Sequence, residues 1–174
     1  LKARMAEARF PVMAINIVNE DGTRPEWLSP STLRNVGELK VGIIGATSVQ
    51  TPDTTNRLNL AGLRVLTNIV ELVTAEATRL REQGAQFVFL TIHDGASCID
   101  NTPATREDTS SCSREQVFDF ARGFAPDVID GIVGGHTHGE AVKRINGIPV
   151  LQPAPKGEAI AWLSIRADGS SEIH

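Results

Sequence analysis

The chain has no run of Lys and Arg longer than a pair, and its 17 basic residues are outnumbered by 21 acidic ones, for a formal net charge of −4. That balance excludes the electrostatic footprint of a protein that grips a nucleic-acid polymer or an anionic membrane surface. Long apolar runs are missing too. None approaches the roughly 20 residues of a membrane-crossing helix, and Leu1 to Arg9 carries no signal-peptide core. Cysteine is scarce, with Cys98 and Cys112 alone, and their spacing does not fit a Cys-x-x-Cys zinc knuckle. There is no repeat, low-complexity tract or interdomain linker. What is present is ordinary globular composition: 174 residues, 41% hydrophobic and 22% charged, the size of one domain. The first residue is not Met, and Leu1 falls inside a helical pattern, so a natural chain extending upstream is expected.

Helix formers over 2–9 end at Phe10-Pro11. Val12 to Val18, Leu39 to Ala46, Phe87 to Ile92 and Asp127 to Val133 are short apolar runs that suit buried strands, and Leu63 to Leu66 reads as a further short one. Pro25 and Pro30 mark a loop, as does the polar stretch Thr47 to Asn59. A helix opens at Asn68 with Glu71 in the capping-box position, buries Ile69, Val73, Ala77 and Leu80, and stops at Gly84. A second opens at Ser113 with Gln116, carries Val117, Phe120, Ala121 and Phe124 as one stripe, and closes at Gly123 and Pro126. Ala141 to Ile145 and Ile148 to Gln152, joined by Asn146-Gly147, form a hairpin, and Ala159 to Arg166 adds a strand. Strands alternating with crossover helices, then a meander, predict an α/β fold, a layered α/β sandwich with mixed sheets.

In such sheets ligands bind beyond the carboxyl ends of parallel strands. His93 follows one apolar run directly, and His136 and His138 follow another behind Gly134-Gly135. In extended or loop backbone the i and i+2 imidazoles project to the same side, so these three histidines can converge on one metal or two neighbouring ones. Spacing alone leaves open that they simply face solvent.

Gly134-Gly135-His136-Thr137-His138 resembles the Gly-Gly-His-[Ser/Thr]-His signature of the calcineurin-like metallophosphoesterases, in particular the 5′-nucleotidase branch. Phe10 to Ile17 is similar to that branch's Phe-Pro-Val-x-x-Ala-Asn-Ile segment, with Ile15 in place of its usual Ala. Lys40 to Gly45 resembles its Lys-Val-Gly-x-Ile-Gly strand, Thr91 to Gly95 its Leu-[Ser/Thr]-His-x-Gly element, and Asn146 to Gln152 with Lys156-Gly157 its closing hairpin.

The resemblance implies a fold of metallophosphoesterase type and a binuclear centre of two divalent ions (Zn, Mn, Fe, Ni or Co), in which a bridging hydroxide attacks the phosphorus of a nucleotide or other phosphate ester, cyclic nucleotides included. His93 and His136 match ligands of the second metal and His138 a ligand of the first. Thr137, Gly135 and Gly95 belong to the same loops, and Asp94 is either a carboxylate that steadies an imidazole or a turn residue. The family's Asp-x-His, Gly-Asp and Gly-Asn-His-[Asp/Glu] elements have no counterpart here. The bridging Asp, the Asn ligand and the acid/base His are therefore expected upstream. Residues 1–174 then read as the C-terminal portion of one catalytic domain, incomplete on its N-terminal side, with a partial metal site and no catalytic residue of its own. An unpaired sheet edge in such a piece would favour self-association. The competing reading is a non-catalytic metal-binding or interaction module that kept the fold without a complete active site.

Cys98 and Cys112 bracket a loop rich in Ser, Thr and Asp and are either free thiols or a disulfide. Their shared loop and the resemblance to a commonly exported family tilt them toward the disulfide and toward a periplasmic, cell-surface or secreted home.

Overall fold

The computed structural model describes residues 2–60, 62–103, 106–166 and 169–174. Leu1 lies outside them, as do residues 104 and 105 in the loop between the cysteines. The chain divides into two compact units, one running to Thr91 and the other from Ile92 to His174.

The first unit contains α1 (Lys2–Glu7), β1 (Ile17–Asn19), β2 (Ser31–Val36), β3 (Leu39–Thr47), the short helix α2 (Thr51–Thr54), β4 (Leu63–Val65), α3 (Ile69–Glu82) and most of β5 (Phe87–His93). Its sheet runs β2-β3-β5, with β2 and β3 antiparallel from Ser31↔Ile44 to Val36↔Leu39. β4 pairs antiparallel with β1. α3 buries the four residues its spacing predicts, Ile69, Val73, Ala77 and Leu80, although the Asn68 side chain makes no capping hydrogen bond. The run Val12 to Val18 is not one strand. Its backbone lies against Gly45, where the Ile15 N–H donates to the Gly45 carbonyl at 2.7 Å, and the Asn16 side chain takes over the pairing by bonding both the N–H and the carbonyl of Thr47. Only Ile17 to Asn19 is left to form β1. β2 has no apolar run to announce it; half of its residues are exposed.

The second unit begins with Ile92 and His93 and continues through β6 (Ser97–Cys98), β7 (Cys112–Ser113), α4 (Gln116–Gly123), β8 (Gly131–Val133), β9 (Ala141–Ile145), β10 (Ile148–Gln152), β11 (Leu163–Ile165) and β12 (Ser171–Ile173). β10 is parallel to β8 and antiparallel to β9, so the sheet is mixed, as expected. The hairpin has the predicted bounds, with Asn146 and Gly147 both at positive φ, 51° and 79°. All five residues of β10 are buried. α4 covers the β9–β10 pair with Val117, Phe118 and Ala121, not with the predicted Phe120. The predicted Val117, Ala121 and Phe124 are buried, but Ser113 is drawn into β7 opposite Ser97, so the helix starts later, at Gln116. A turn in which the Val128 N–H reaches the Ala125 carbonyl shortens β8 to three residues. β11 pairs with β12, which has no sequence signal, and its last neighbour His174 stacks on Trp162 with ring centroids 5.5 Å apart.

Cys98 and Cys112 face each other across the β6–β7 pair and form a disulfide closing a loop with a sequence separation of 14. That loop is not idle surface. The Cys98 N–H donates to the Glu140 carbonyl, the Asn101 side chain accepts from the Val142 N–H, and Arg106 donates to the Val142 carbonyl while its own carbonyl accepts from the Arg144 N–H. The edge of β9 away from β10 is thereby covered, which is one way natural sheets avoid pairing with strangers.

This packing sets the response to two changes. A Cβ on Gly45 would lie 2.5 Å from Met13 Cβ and 2.7 Å from the Met13 carbonyl oxygen; Gly45→Ala should therefore lower the free energy of unfolding by about 1–3 kcal/mol in urea titrations. Reduction of Cys98–Cys112 should lower it by up to about 3 kcal/mol, and thiol titration of unfolded, unreduced protein should return no free sulfhydryl.

Candidate metal centre

Two loops meet at the ends of β5 and β8. The Gly135 N–H donates to the Asp94 carbonyl at 2.8 Å, and the Gly134 N–H to the Leu151 carbonyl at 2.9 Å. This is possible because the crossing points carry no side chains. A Cβ on Gly95 would lie 1.8 Å from Gln152 Oε1 and 2.3 Å from the Gly135 carbonyl oxygen, and one on Gly134 would lie 2.8 Å from the Asp94 carbonyl oxygen. Gly135 has nothing within 4 Å of such an atom. Of the Gly-Gly pair, the first residue is the one the packing requires.

The approach brings His136 Nδ1 within 3.1 Å of His93 Nε2, the rings edge to face with centroids 4.7 Å apart. His136 and His138 lie along one cavity of about 260 Å³, together with Gln152 and Lys156. Both take positive φ, 73° and 54°, a backbone conformation that costs a residue with a Cβ roughly 1–2 kcal/mol. All three histidines are open to solvent on one side. Desolvation holds the His93 imidazole below its ordinary pKa, as does the neighbouring His136 charge, against the opposing pull of Asp94.

These donors fit a divalent cation. Two imidazoles bound at about 2.0–2.1 Å, at an angle between square and tetrahedral, hold their nitrogens about 2.8–3.4 Å apart, and the observed separation of 3.1 Å falls within that range. A lowered pKa also favours neutral imidazole, the form that ligates. His138 does not complete a set with the pair: among the described residues no three His, Cys, Asp or Glu side chains group tightly enough to hold one ion. Asp94 is 3% exposed; its Oδ1 accepts the Gly95 N–H, and its Oδ2 has no partner. Thr137 turns inward and donates its hydroxyl to the Ala96 carbonyl at 2.7 Å. Gln152 is the residue to which sequence reasoning gave no role at the site. It ends an apolar strand, is 4% exposed, and donates from Nε2 to Thr137 Oγ1 at 2.7 Å and to the Gly139 carbonyl at 2.6 Å. A polar side chain closing a wholly apolar run was the available signal.

No family model matches the chain. It is 27% identical over 190 residues to the trifunctional nucleotide phosphoesterase protein YfkN of Bacillus subtilis, an alignment that takes in 95% of this chain and 12% of that protein. It is 26% identical over 149 residues to an apyrase of Anopheles gambiae, covering 84% of this chain and 22% of the apyrase. Among solved structures, the calcineurin-like phosphoesterase YfkN from Bacillus subtilis superposes with a TM-score of 0.66 over 95% of this chain and 54% of that one, at 27% identity. A 5′-nucleotidase precursor from Thermus thermophilus superposes with a TM-score of 0.71 over 99% of this chain and 34% of that one, at 20% identity. The fold is that of the metallophosphoesterase domains. The relatives that carry it are 5′-nucleotidase and calcineurin-like phosphoesterase proteins, and the chain spans only part of each.

The glycine geometry makes a paired prediction. Gly95→Ala should cost about 1–3 kcal/mol of stability because the Gly135 backbone cannot move aside, whereas Gly135→Ala should stay within about 0.5 kcal/mol. Urea midpoints of the two variants, measured side by side, check it.

Proposed function

We propose that this chain contributes one part of a binuclear, divalent-metal phosphoesterase that hydrolyses nucleotide phosphate esters. The observation that carries the reading is the His93–His136 pair, whose nitrogen separation suits two ligands on one ion. The nucleotidase and phosphoesterase relatives support the substrate class. In this reading His93 and His136 hold one cation, His138 serves a second, and the bridging carboxylate, the remaining ligands and the acid/base imidazole lie in sequence outside these 174 residues. The cations, when bound, offset the negative charge of the phosphoryl oxygens. The chain's own residues do the rest: His136 and His138 line the cavity, and the glycine crossings hold His93 and His136 at ligand spacing. Lys156, at the same cavity, adds positive charge where an anionic ester would enter. No described helix is long and apolar enough to cross a membrane. An extracytoplasmic location belongs to the same proposal and draws support from the Cys98–Cys112 disulfide. So does self-association, through apolar surface at Ile160 and Trp162, which are 81% and 57% exposed.

Without a bridging carboxylate two adjacent cations repel each other. The 174-residue chain alone is therefore expected to bind divalent metal weakly and to turn over no p-nitrophenyl phosphate. Supplying the upstream segment, in cis or as a second chain, should restore two tightly bound metals and turnover of a nucleoside monophosphate. Metal analysis by mass spectrometry and a turnover assay, with His136→Ala as control, provide the check. Two metals per isolated chain and activity that the control abolishes would sink the division of ligands proposed here.

A further inference from the structure

We infer that Gln152 is a positioning residue that sets the geometry of the His136–His138 loop, acting through Thr137 and Gly139; this rests on the reading of those histidines as metal ligands. The orientation of its amide is fixed by its partners. The Gly139 carbonyl can only accept, so the group 2.6 Å from it is the NH2 end. The Thr137 hydroxyl gives its hydrogen to the Ala96 carbonyl, so toward Gln152, 2.7 Å away, it accepts. One amide thus holds the residue between the two histidines and the residue after the second, and Thr137 passes the tether on to the loop that follows His93.

The arrangement is needed because the loop does not hold itself. His136 and His138 both adopt positive φ, 73° and 54°, and both are exposed, so no burial of their rings fixes them. The loop's internal backbone bond from the Thr137 N–H to the Gly135 carbonyl closes only one tight turn. Gln152 comes from β10, a fully buried strand, and so ties the loop to the core. Its other end shows the same purpose. Oε1 is buried against Gly95 with no hydrogen-bond partner among the described residues, an arrangement that a Leu or Met would avoid. What those residues lack is the pair of donors. Partners that orient metal ligands in this way change metal affinity by about 10–100-fold when removed.

Gln152→Glu is the discriminating variant, since it keeps the shape of the side chain and replaces the two-donor end with an acceptor facing the Gly139 carbonyl and the Thr137 oxygen. The full chain is compared by NMR without metal and in a Zn2+ titration. In the metal-free wild type, rings 4.7 Å apart give an NOE between His93 and His136. In Gln152→Glu that NOE should vanish while resonances of α4 stay in place, and the Zn2+ midpoint followed on the histidine rings should weaken about 10–100-fold. A variant that keeps both the NOE and the wild-type midpoint overturns the inference. If wild-type rings ignore Zn2+ but the variant loses the NOE, the metal reading fails and the positioning role stands. Should Gln152→Glu not fold, Thr137→Val, which removes the relay hydroxyl at nearly constant volume, decides the matter by the same two readouts.

Discussion

The Gly135 N–H donates to the Asp94 carbonyl across 2.8 Å, and the approach of His136 to His93 depends on that contact. Strand ends carrying side chains stay farther apart, because each Cβ occupies the space through which the other backbone would pass. Here Gly95 and Gly134 leave that space empty, and the Gly135 carbonyl and Gln152 amide fill it. The requirement runs from sequence to chemistry in two steps. Missing side chains permit the backbone bond, and the backbone bond fixes His93 and His136 at a separation suited to one ion.

A similar use of backbone groups appears on the flank. β9 would present a free edge, but the disulfide-closed loop supplies Asn101 and Arg106 to its Val142 backbone and the Cys98 N–H to Glu140. Lys143, fully buried in β9, donates to the Asp100 carbonyl of that loop as well. The disulfide therefore does more than restrict the unfolded chain. It holds in register a polar loop whose bonds to β9 begin at Glu140, two residues beyond His138.

Much of the architecture could be read from residue order, and what could not has identifiable causes. The α3 stripe and the β9–β10 hairpin were legible because period and turn chemistry are local: Ile69, Val73, Ala77 and Leu80 meet only one face, and Asn-Gly accepts the left-handed turn without help. The start of α4 was misplaced because Ser113, a good capping residue by type, is claimed by a partner distant in sequence, whereas its stripe was legible at Val117, Ala121 and Phe124, with Phe118 buried in place of Phe120. Val12 to Val18 failed as a strand for a similar reason, since the Asn16 side chain replaces backbone pairing. At the candidate centre, the histidines were visible as residue types after apolar runs. The convergence of His93 with His136 depended on glycines whose importance is decided by what faces them, and Gln152 could not be assigned until its partners were known.

Unpaired polar atoms and strained backbone meet at the candidate centre. Among the described residues Asp94 Oδ2 and Gln152 Oε1 are buried without hydrogen-bond partners. His136 and His138 hold strained backbone while their rings remain outside the core, so no burial energy offsets it. A sequence under selection for stability alone would remove these features, with Leu or Met at 152 and Asn or Gly at the strained positions. The second unit tolerates them because α4 and β10 bury Val117, Phe118, Ala121 and the whole strand behind the loop.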